Sequence, residues 1–288
     1  MEQENNLILI DAYNLIYRAF YGNLSPMKNK EGLPTNAIYT VCRMLQKIRR
    51  ENSIKYALCV FDGGDTFRNE IDENYKKNRK PMPPELKQQM PYIKQVFDLL
   101  GWPTYQAKDV EADDVIATLA TRAAAKNYKV YILSGDKDFR AIVNDNICVV
   151  DTMREIVYDE ETIIKTMSIK PCQVVDYLSL VGDSVDNVIG IDKLGPKTAV
   201  KLLEKYETLD NIIQNVESIS GIVGKNLKLA IEDGQINKNK QLISLKCSVE
   251  VNLKVKDITP SDIKQEKWEE FCQLMNFKGF LLKSKMKV

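Results

Sequence analysis

"NLILIDAYNLIYRAFYG", residues 6–22, sets a short apolar run directly before an acid, Asp11, and then opens a helical pattern. A half-exposed strand would alternate apolar and polar residues, and this run does not. It reads as a strand covered on both faces, which is the mark of a parallel sheet in an α/β fold. The same unit recurs along the first half. "KYALCVFD" (55–62) follows the helix-like "NAIYTVCRMLQKIRREN" (36–52), and "YKVYILSGD" (128–136) follows "EADDVIATLATRAAAKN" (111–127). "NICVVDT" (146–152) comes next, and "EIVYDEE" (155–161) can pair with it as a short hairpin. A mostly parallel sheet flanked by helices is therefore expected.

The pattern changes near residue 170. "KPCQVVDYLSLVGDSVDNVIG" (170–190), "LGPKTAVKLLEKYETLDNIIQNV" (194–216) and the stretch beyond read as helices split by Gly, Pro and Asn. Two regions are expected, an α/β core over 1–168 and a mainly helical region over 169–288. Residues 63–91, polar, basic and Pro-bearing between structured stretches, are too long for a simple connection and are expected to be functional or mobile.

Composition excludes much. Hydrophobic residues make up 44% of the 288 and charged residues 28%, as in a globular protein with a real core. The start has no basic region before a signal-type apolar run, and no apolar run approaches the ~20 residues of a membrane span, so a cytoplasmic protein without membrane partners is expected. The six cysteines are scattered with no C-x-x-C pair, against zinc and against a disulfide framework. Histidine is absent, which removes Ser-His-Asp and Cys-His mechanisms and histidine-bearing metal sites. Chemistry must then fall to carboxylates, Lys, Tyr, hydroxyls or a metal held by oxygen. The net charge is only +1, yet acids cluster while "RMLQKIRR", "YKKNRK" and "KGFLLKSKMK" are basic.

The acids follow the strands. Asp11, Asp62 and Asp136 each end one, and carboxyl ends of parallel strands share one edge, where ligands bind. Asp138 can face the same crevice. Asp151 also ends a strand but lacks an acidic neighbour and is taken as structural. "EADDVIATLA" adds Glu111, Asp113 and Asp114. An acidic first turn is an ordinary helix start worth ~0.3–1 kcal/mol per charge, but a helix starting at that edge would bring these acids beside the others. Glu111 and Asp114 share a face at i,i+3 while Asp113 points elsewhere, so not all three need be ligands. "VGDSVDN" supplies Asp183 and Asp186. Like charges 4 Å apart cost ~4 kcal/mol at an effective dielectric of 20. Divalent cations would relieve this, and hard oxygen ligands suit Mg²⁺ or Mn²⁺. Two such ions can activate water and stabilise the leaving oxygen in phosphodiester cleavage.

Basic segments then suit a polyanionic substrate. Arg68, Lys76 and Arg79 could lie near phosphates, with Tyr75 free to stack on a base. "GIDKLGPKTAVKLL" reads as a tight turn into a helix whose N–H groups, around Gly195, Lys197 and Thr198, can bind a phosphate. Taken singly, each basic stretch fits a solvated face equally well.

Taken in order, "LILIDAYNLIYRAFYG", "GLPTNAIYTVCRML", "FDGGDTFRNEIDENYKKNRKPMPPEL", "EADDVIATLA", "SGDKDF" and "VGDSVDN…LGPKTAVKLL" resemble the 5′-3′ exonuclease domain of bacterial DNA polymerase I, which is grouped with the flap endonucleases. The resemblance implies a PIN-like core and a helix-hairpin-helix (about 174–205) that grips duplex DNA. It implies metal-dependent removal of 5′ ends, 5′ flaps and RNA primers, with two Mg²⁺ ions for which Mn²⁺ can substitute. Asp11, Asp62, Glu111, Asp113, Asp114, Asp136, Asp138, Asp183 and Asp186 are its expected metal ligands. Lys76 and Arg79 match basic positions of the family's helical arch (about 63–91), and Asn14, Arg18 and Tyr75 are further expected DNA contacts. A monomer is expected, with a DNA polymerase as partner in cis or in trans.

Two positions depart from the pattern. Lys193 replaces the first glycine of G-[IV]-G-P-K, and Ile189 stands where proline is frequent. Positive φ at a non-Gly residue costs roughly 1 kcal/mol, so a shifted turn is expected, which bears on a K⁺ ion that family members hold through carbonyls near Gly190 to Leu194. Three other readings stay open: a PIN-type ribonuclease, a non-catalytic junction binder, and a phosphatase built on "DKD".

Overall fold

The computed structural model describes residues 5–22, 25–51, 54–64 and 67–285. Residues 65–66 of the expected arch and 286–288 of the basic tail lie outside the described residues. Six strands form one sheet: β1 (Asn6–Asp11), β2 (Tyr56–Phe61), β3 (Thr104–Gln106), β4 (Lys129–Leu133), β5 (Ile147–Asp151) and β6 (Ile156–Tyr158). Their order is β3-β2-β1-β4-β5-β6, parallel except for the β5–β6 hairpin. Chain order reverses between β1 and β4, and a crevice opens outside the carboxyl ends of strands at such a reversal.

The apolar runs serve two cores by the two-residue alternation of strand side chains. Leu7, Leu9, Leu58 and Val60 face one core, and Ile8, Ile10, Ala57 and Cys59 the other. The second core takes α1 (Ala12–Gly22), α2 (Asn36–Glu51) and, beyond the five-residue α3 (Phe67–Ile71), α4 (Pro84–Leu99). The first takes α5 (Ala112–Ala124) through Val115, Ile116 and Ala120.

After α6 (Glu160–Met167) the chain is mainly helical: α7 (Val174–Val181), α8 (Pro196–Tyr206), α9 (Leu209–Gln214), α10 (Gly221–Glu232) and α11 (Gln235–Ile243). A two-stranded ribbon, β7 (Gly182–Asp183) and β8 (Val188–Ile189), joins α7 to the turn before α8. Leu178, Leu203, Ile212 and Leu242 extend the first core, so both regions share one apolar layer. The last helices, α12 (Gln265–Leu274) and α13 (Lys278–Lys285), return to the opposite side. There Trp268 and Phe271 join the second core, and Phe277 packs edge-on against Tyr39 of α2 at 5.2 Å.

The turn before α8 is not shifted. Lys193 takes φ +60° itself, held between buried Ile191 and Leu194, and the Leu194 N–H donates to the Ile191 carbonyl at 3.0 Å. Gly190 is required by contact rather than by φ, since a Cβ there would lie 2.2 Å from the Val181 carbonyl oxygen.

Candidate active site

A cleft of 890 Å³ lies at the β1/β4 reversal. Asp11, Asp62, Asp113, Asp136, Asp183 and Asp186 line it, with Asn14, Arg18, Lys76 and Arg79. Each acid is placed by local backbone. Asp11 accepts the Asn14 N–H and the Ser134 hydroxyl, both at 3.0 Å. Asp62 accepts the Ala112 N–H at 2.8 Å and so anchors the start of α5 beside its own strand end. Asp136 accepts the Asp138 N–H at 2.9 Å, and Asp183 that of Val185 at 2.9 Å. Asp138, Asp183 and Asp186 bring one carboxylate oxygen each within 4.8 Å of one another. The buried Asp138 Oδ1 has no hydrogen-bond partner among the described residues.

Crowding shows in the proton affinities. Burial, followed by the charges of Asp62 and Asp136, pushes Asp11 up from 3.8 to about 7, against hydrogen bonds from Asn14 and Ser134. Burial is also the leading cause for Asp113, Asp136 and Asp138, all raised, with neighbouring carboxylates adding to it. Basic groups offset part of this charge. Lys76 Nζ lies 3.1 Å from Glu111, Arg79 Nη2 2.6 Å from Asp186, and Lys137 Nζ 2.9 Å from Asp183. Burial works against the Lys76 charge, but Asp113, Glu111 and Asp186 outweigh it and hold its pKa above the usual value.

A carboxyl whose folded pKa is raised stabilises the fold while protonated. For Asp11 that contribution is whole below pH ~4 and is lost as the pH climbs through about 7. A bound divalent cation should offset the loss. Mg²⁺ is therefore expected to raise the melting temperature, relative to EDTA, more at pH 8 than at pH 5. Equal increments at the two pH values would detach the cluster from the cation.

Three sequence expectations need correction. Asp114 does not face the cleft: it receives two Arg68 nitrogens at 2.8 and 2.9 Å and the Lys246 N–H at 2.8 Å. Arg68 is not a surface phosphate contact, because it is 1% exposed and also donates to Glu111 and to the carbonyls of Leu242 and Ser244. Tyr75 cannot stack on a base in this conformation: it is 5% exposed, with its hydroxyl 3.3 Å from Asp186. Asp113, off the face that Glu111 and Asp114 share, is the one of the three acids that lines the cleft.

Glu111, also an expected metal ligand, sits at the N-cap of α5 outside the cleft lining, engaged by Arg68 and Lys76 instead. Arg18 pairs with Asp151 at 3.3 Å, and the Asn14 side chain accepts the Gly135 N–H. Gly195, Lys197 and Thr198 stand at the start of α8, outside the cleft lining, with Gly195 and Lys197 exposed. The expected arch is only partly helical. Between α3 and α4, residues 73–78 form turns that cross to the 183–187 loop. The Lys76 N–H donates to the Asp186 carbonyl, Asn78 to that of Ser184, and Asn187 to that of Asn74.

Side-chain amides meet the hairpin carbonyls around the expected K⁺ position. Gln235 and Asn239 donate to the Ile189 carbonyl, Gln235 to that of Gly190, and Asn226 to that of Asp192.

Sequence reasoning missed Tyr13, Tyr17 and Tyr21, which line the cleft from one face of α1, and Lys137, Arg140 and Arg154. The tyrosines were legible as an i,i+4,i+8 series starting beside Asp11. Lys137 lies inside the quoted "SGDKDF", where the acids drew the attention.

Known proteins match this arrangement along the chain. Residues 6–168 match the 5′-3′ exonuclease N-terminal resolvase-like domain, and 169–266 the 5′-3′ exonuclease C-terminal SAM fold. The 5′-3′ exonuclease of Aquifex aeolicus is 36% identical over 276 residues, covering 96% of this chain and 93% of that one. DNA polymerase I of Bacillus caldotenax is 33% identical over 97% of this chain, which spans 32% of that longer protein. Among solved structures, T5 5′-exonuclease with bound zinc superposes with a TM-score of 0.70 at 20% identity, covering 94% of this chain and 99% of that one. The catalytic core of Rad2 in complex with DNA substrate gives 0.62 at 17%, covering 94% and 87%. At these identities the two structures speak to the fold, which is the same PIN-like sheet followed by helices. Both halves match in sequence order, and a relative of nearly equal length is more than one-third identical: the chain belongs to the 5′-3′ exonuclease family.

Proposed function

We propose that this chain is a divalent-metal nuclease that removes 5′ ends and cuts 5′ flaps in DNA, and RNA primers with them, leaving 5′-phosphates. The observation that carries the reading is the Asp138–Asp183–Asp186 trio, whose buried Asp138 Oδ1 has no hydrogen-bond partner among the described residues, at the edge of a cleft ringed by further acids. An all-carboxylate donor set fits a hard cation, so Mg²⁺ is the assigned metal and Mn²⁺ its substitute. When bound, two such ions would supply an acidified water and charge stabilisation for the leaving oxygen.

The chain's own residues do the rest. Asp11, Asp62, Asp113, Asp136, Asp138, Asp183 and Asp186 hold the metals, with Glu111 orienting Lys76. Lys76 and Arg79 offset charge on the attacked phosphate, Asn14 and Arg18 line the approach, and Gly195, Lys197 and Thr198 receive the duplex backbone. The catalytic core is residues 1–168 and the duplex-gripping region begins at 169. The protein works as a cytoplasmic monomer on nucleoid DNA beside a polymerase, in cis or in trans. Relatives that carry this unit as about a third of a DNA polymerase I support that pairing. Among the described residues no helix is long and apolar enough to cross a membrane.

The test is cleavage of a 5′-labelled flap duplex with Mg²⁺, against the same reaction in EDTA. Cutting near the junction only with metal is expected; tight binding with no cutting in either Mg²⁺ or Mn²⁺ would leave a junction binder. Lys76→Ala should slow single-turnover cleavage ~10²-fold, the scale of losing one preorganised charge-stabilising donor. Its flap affinity, read by fluorescence anisotropy in EDTA, should change far less. An equal loss in both would make Lys76 a plain phosphate contact.

A further inference from the structure

Lys137 stands between Asp136 and Asp138 on the loop after β4, and its side chain reaches across to Asp183. The Nζ–Oδ1 distance is 2.9 Å, with Lys137 32% exposed and Asp183 only 4%. Lys137 also lines the open cleft. Its partner belongs to the trio whose oxygens lie within 4.8 Å. The ammonium thus sits at the mouth of the position a divalent cation would take, and a unit positive charge a few ångströms from a dication repels it strongly.

Lys76, another cation of the site, is held more firmly, with its side chain 18% exposed. It is tied by its own N–H to the Asp186 carbonyl as well as by its ammonium to Glu111. Lys137 carries its charge on a flexible four-carbon stem at the cleft edge, free to turn toward solvent.

We propose that Lys137 is an exchangeable counter-ion: it neutralises Asp183 when no divalent cation is bound, and moves to a phosphate of the substrate when one is. This rests on the nuclease reading above and adds a consequence to it. A phosphate that draws Lys137 off Asp183 makes room for the cation, and by linkage the cation must favour the phosphate equally. Metal and DNA then bind with positive coupling through one side chain.

The experiment is a Mn²⁺ titration of the DNA-free protein followed by electron paramagnetic resonance, for the wild type, Lys137→Met, Lys137→Gln and Lys137→Arg, with affinity for an uncleavable phosphorothioate flap duplex measured at saturating Mn²⁺. Removing the charge should tighten Mn²⁺ binding at the weaker site by ~10-fold and weaken the duplex by about threefold, the share of one phosphate contact. Lys137→Arg should restore both values. A merely structural lysine would move both affinities the same way. Unchanged or weaker Mn²⁺ binding in both neutral variants, with wild-type circular dichroism, overturns the proposal while leaving a metal-binding, flap-cutting wild type intact. A wild type that neither binds Mn²⁺ nor cuts the flap overturns the nuclease reading together with it.

Discussion

Asp136→Asn should keep flap affinity and lose cleavage by about 10³-fold or more, since metal stabilisation is worth several kcal/mol and each 1.36 kcal/mol is tenfold. The substitution is nearly isosteric. Asparagine Oδ1 can still accept the Asp138 N–H that Asp136 accepts at 2.9 Å, so the loop keeps its shape while one charge disappears. That charge is among the causes raising the pKa values of Asp11, Asp113 and Asp138. Its removal should therefore raise the melting temperature in EDTA while it destroys activity with Mg²⁺. Single-turnover cleavage, anisotropy and a melt on the same preparation check all three. A variant with wild-type cleavage would take Asp136 out of the metal bed, and a variant that melted lower in EDTA would deny the repulsion.

Arg68→Met should be the most damaging single change to stability, costing ~3–5 kcal/mol, because it leaves carboxylates buried without their cation. Arg68 is 1% exposed and joins four acceptors: Glu111, Asp114, and the carbonyls of Leu242 and Ser244. It ties the first turn of α5 to the end of α11, far apart in sequence. At ~2–4 °C per kcal/mol for chains approaching this size, the melting temperature should fall on the order of 10 °C. Adding Asp114→Leu should recover part of the loss, since replacing a buried pair by apolar side chains is often near neutral. Glu111 keeps Lys76 at 3.1 Å in either variant. Urea unfolding of wild type, single and double variants measures this, and a double variant no better than the single would place the cost in packing rather than in charge.

Part of the site was legible because strand direction is a strong constraint. An apolar run ending in Asp puts that acid on the carboxyl edge whatever the loops do, and Asp11, Asp62 and Asp136 all line the cleft there. The expectation for Lys193 erred for a local reason. Positive φ is a modest penalty at one residue, and two buried neighbours, Ile191 and Leu194, outweigh it. The 63–91 segment was legible as unusual but not as a strap. Its ties run to Ser184, Asp186 and Asn187, more than a hundred positions away.

The amino-acid sequence by itself determined the α/β class, the acidic edge and the exclusion of histidine chemistry, since these follow from periodicity, chain direction and composition. Tertiary structure decided which acid of "EADD" lines the cleft. Helical spacing says that Glu111 and Asp114 share a face and that Asp113 does not, but not which face meets the cleft. That was set by Val115, Ile116 and Ala120 packing into the first core and by Arg68 docking on Asp114. The same docking took Arg68 out of reach of DNA. Whether a basic side chain meets a phosphate or a buried carboxylate depends on what the fold brings opposite it, and no local pattern carries that.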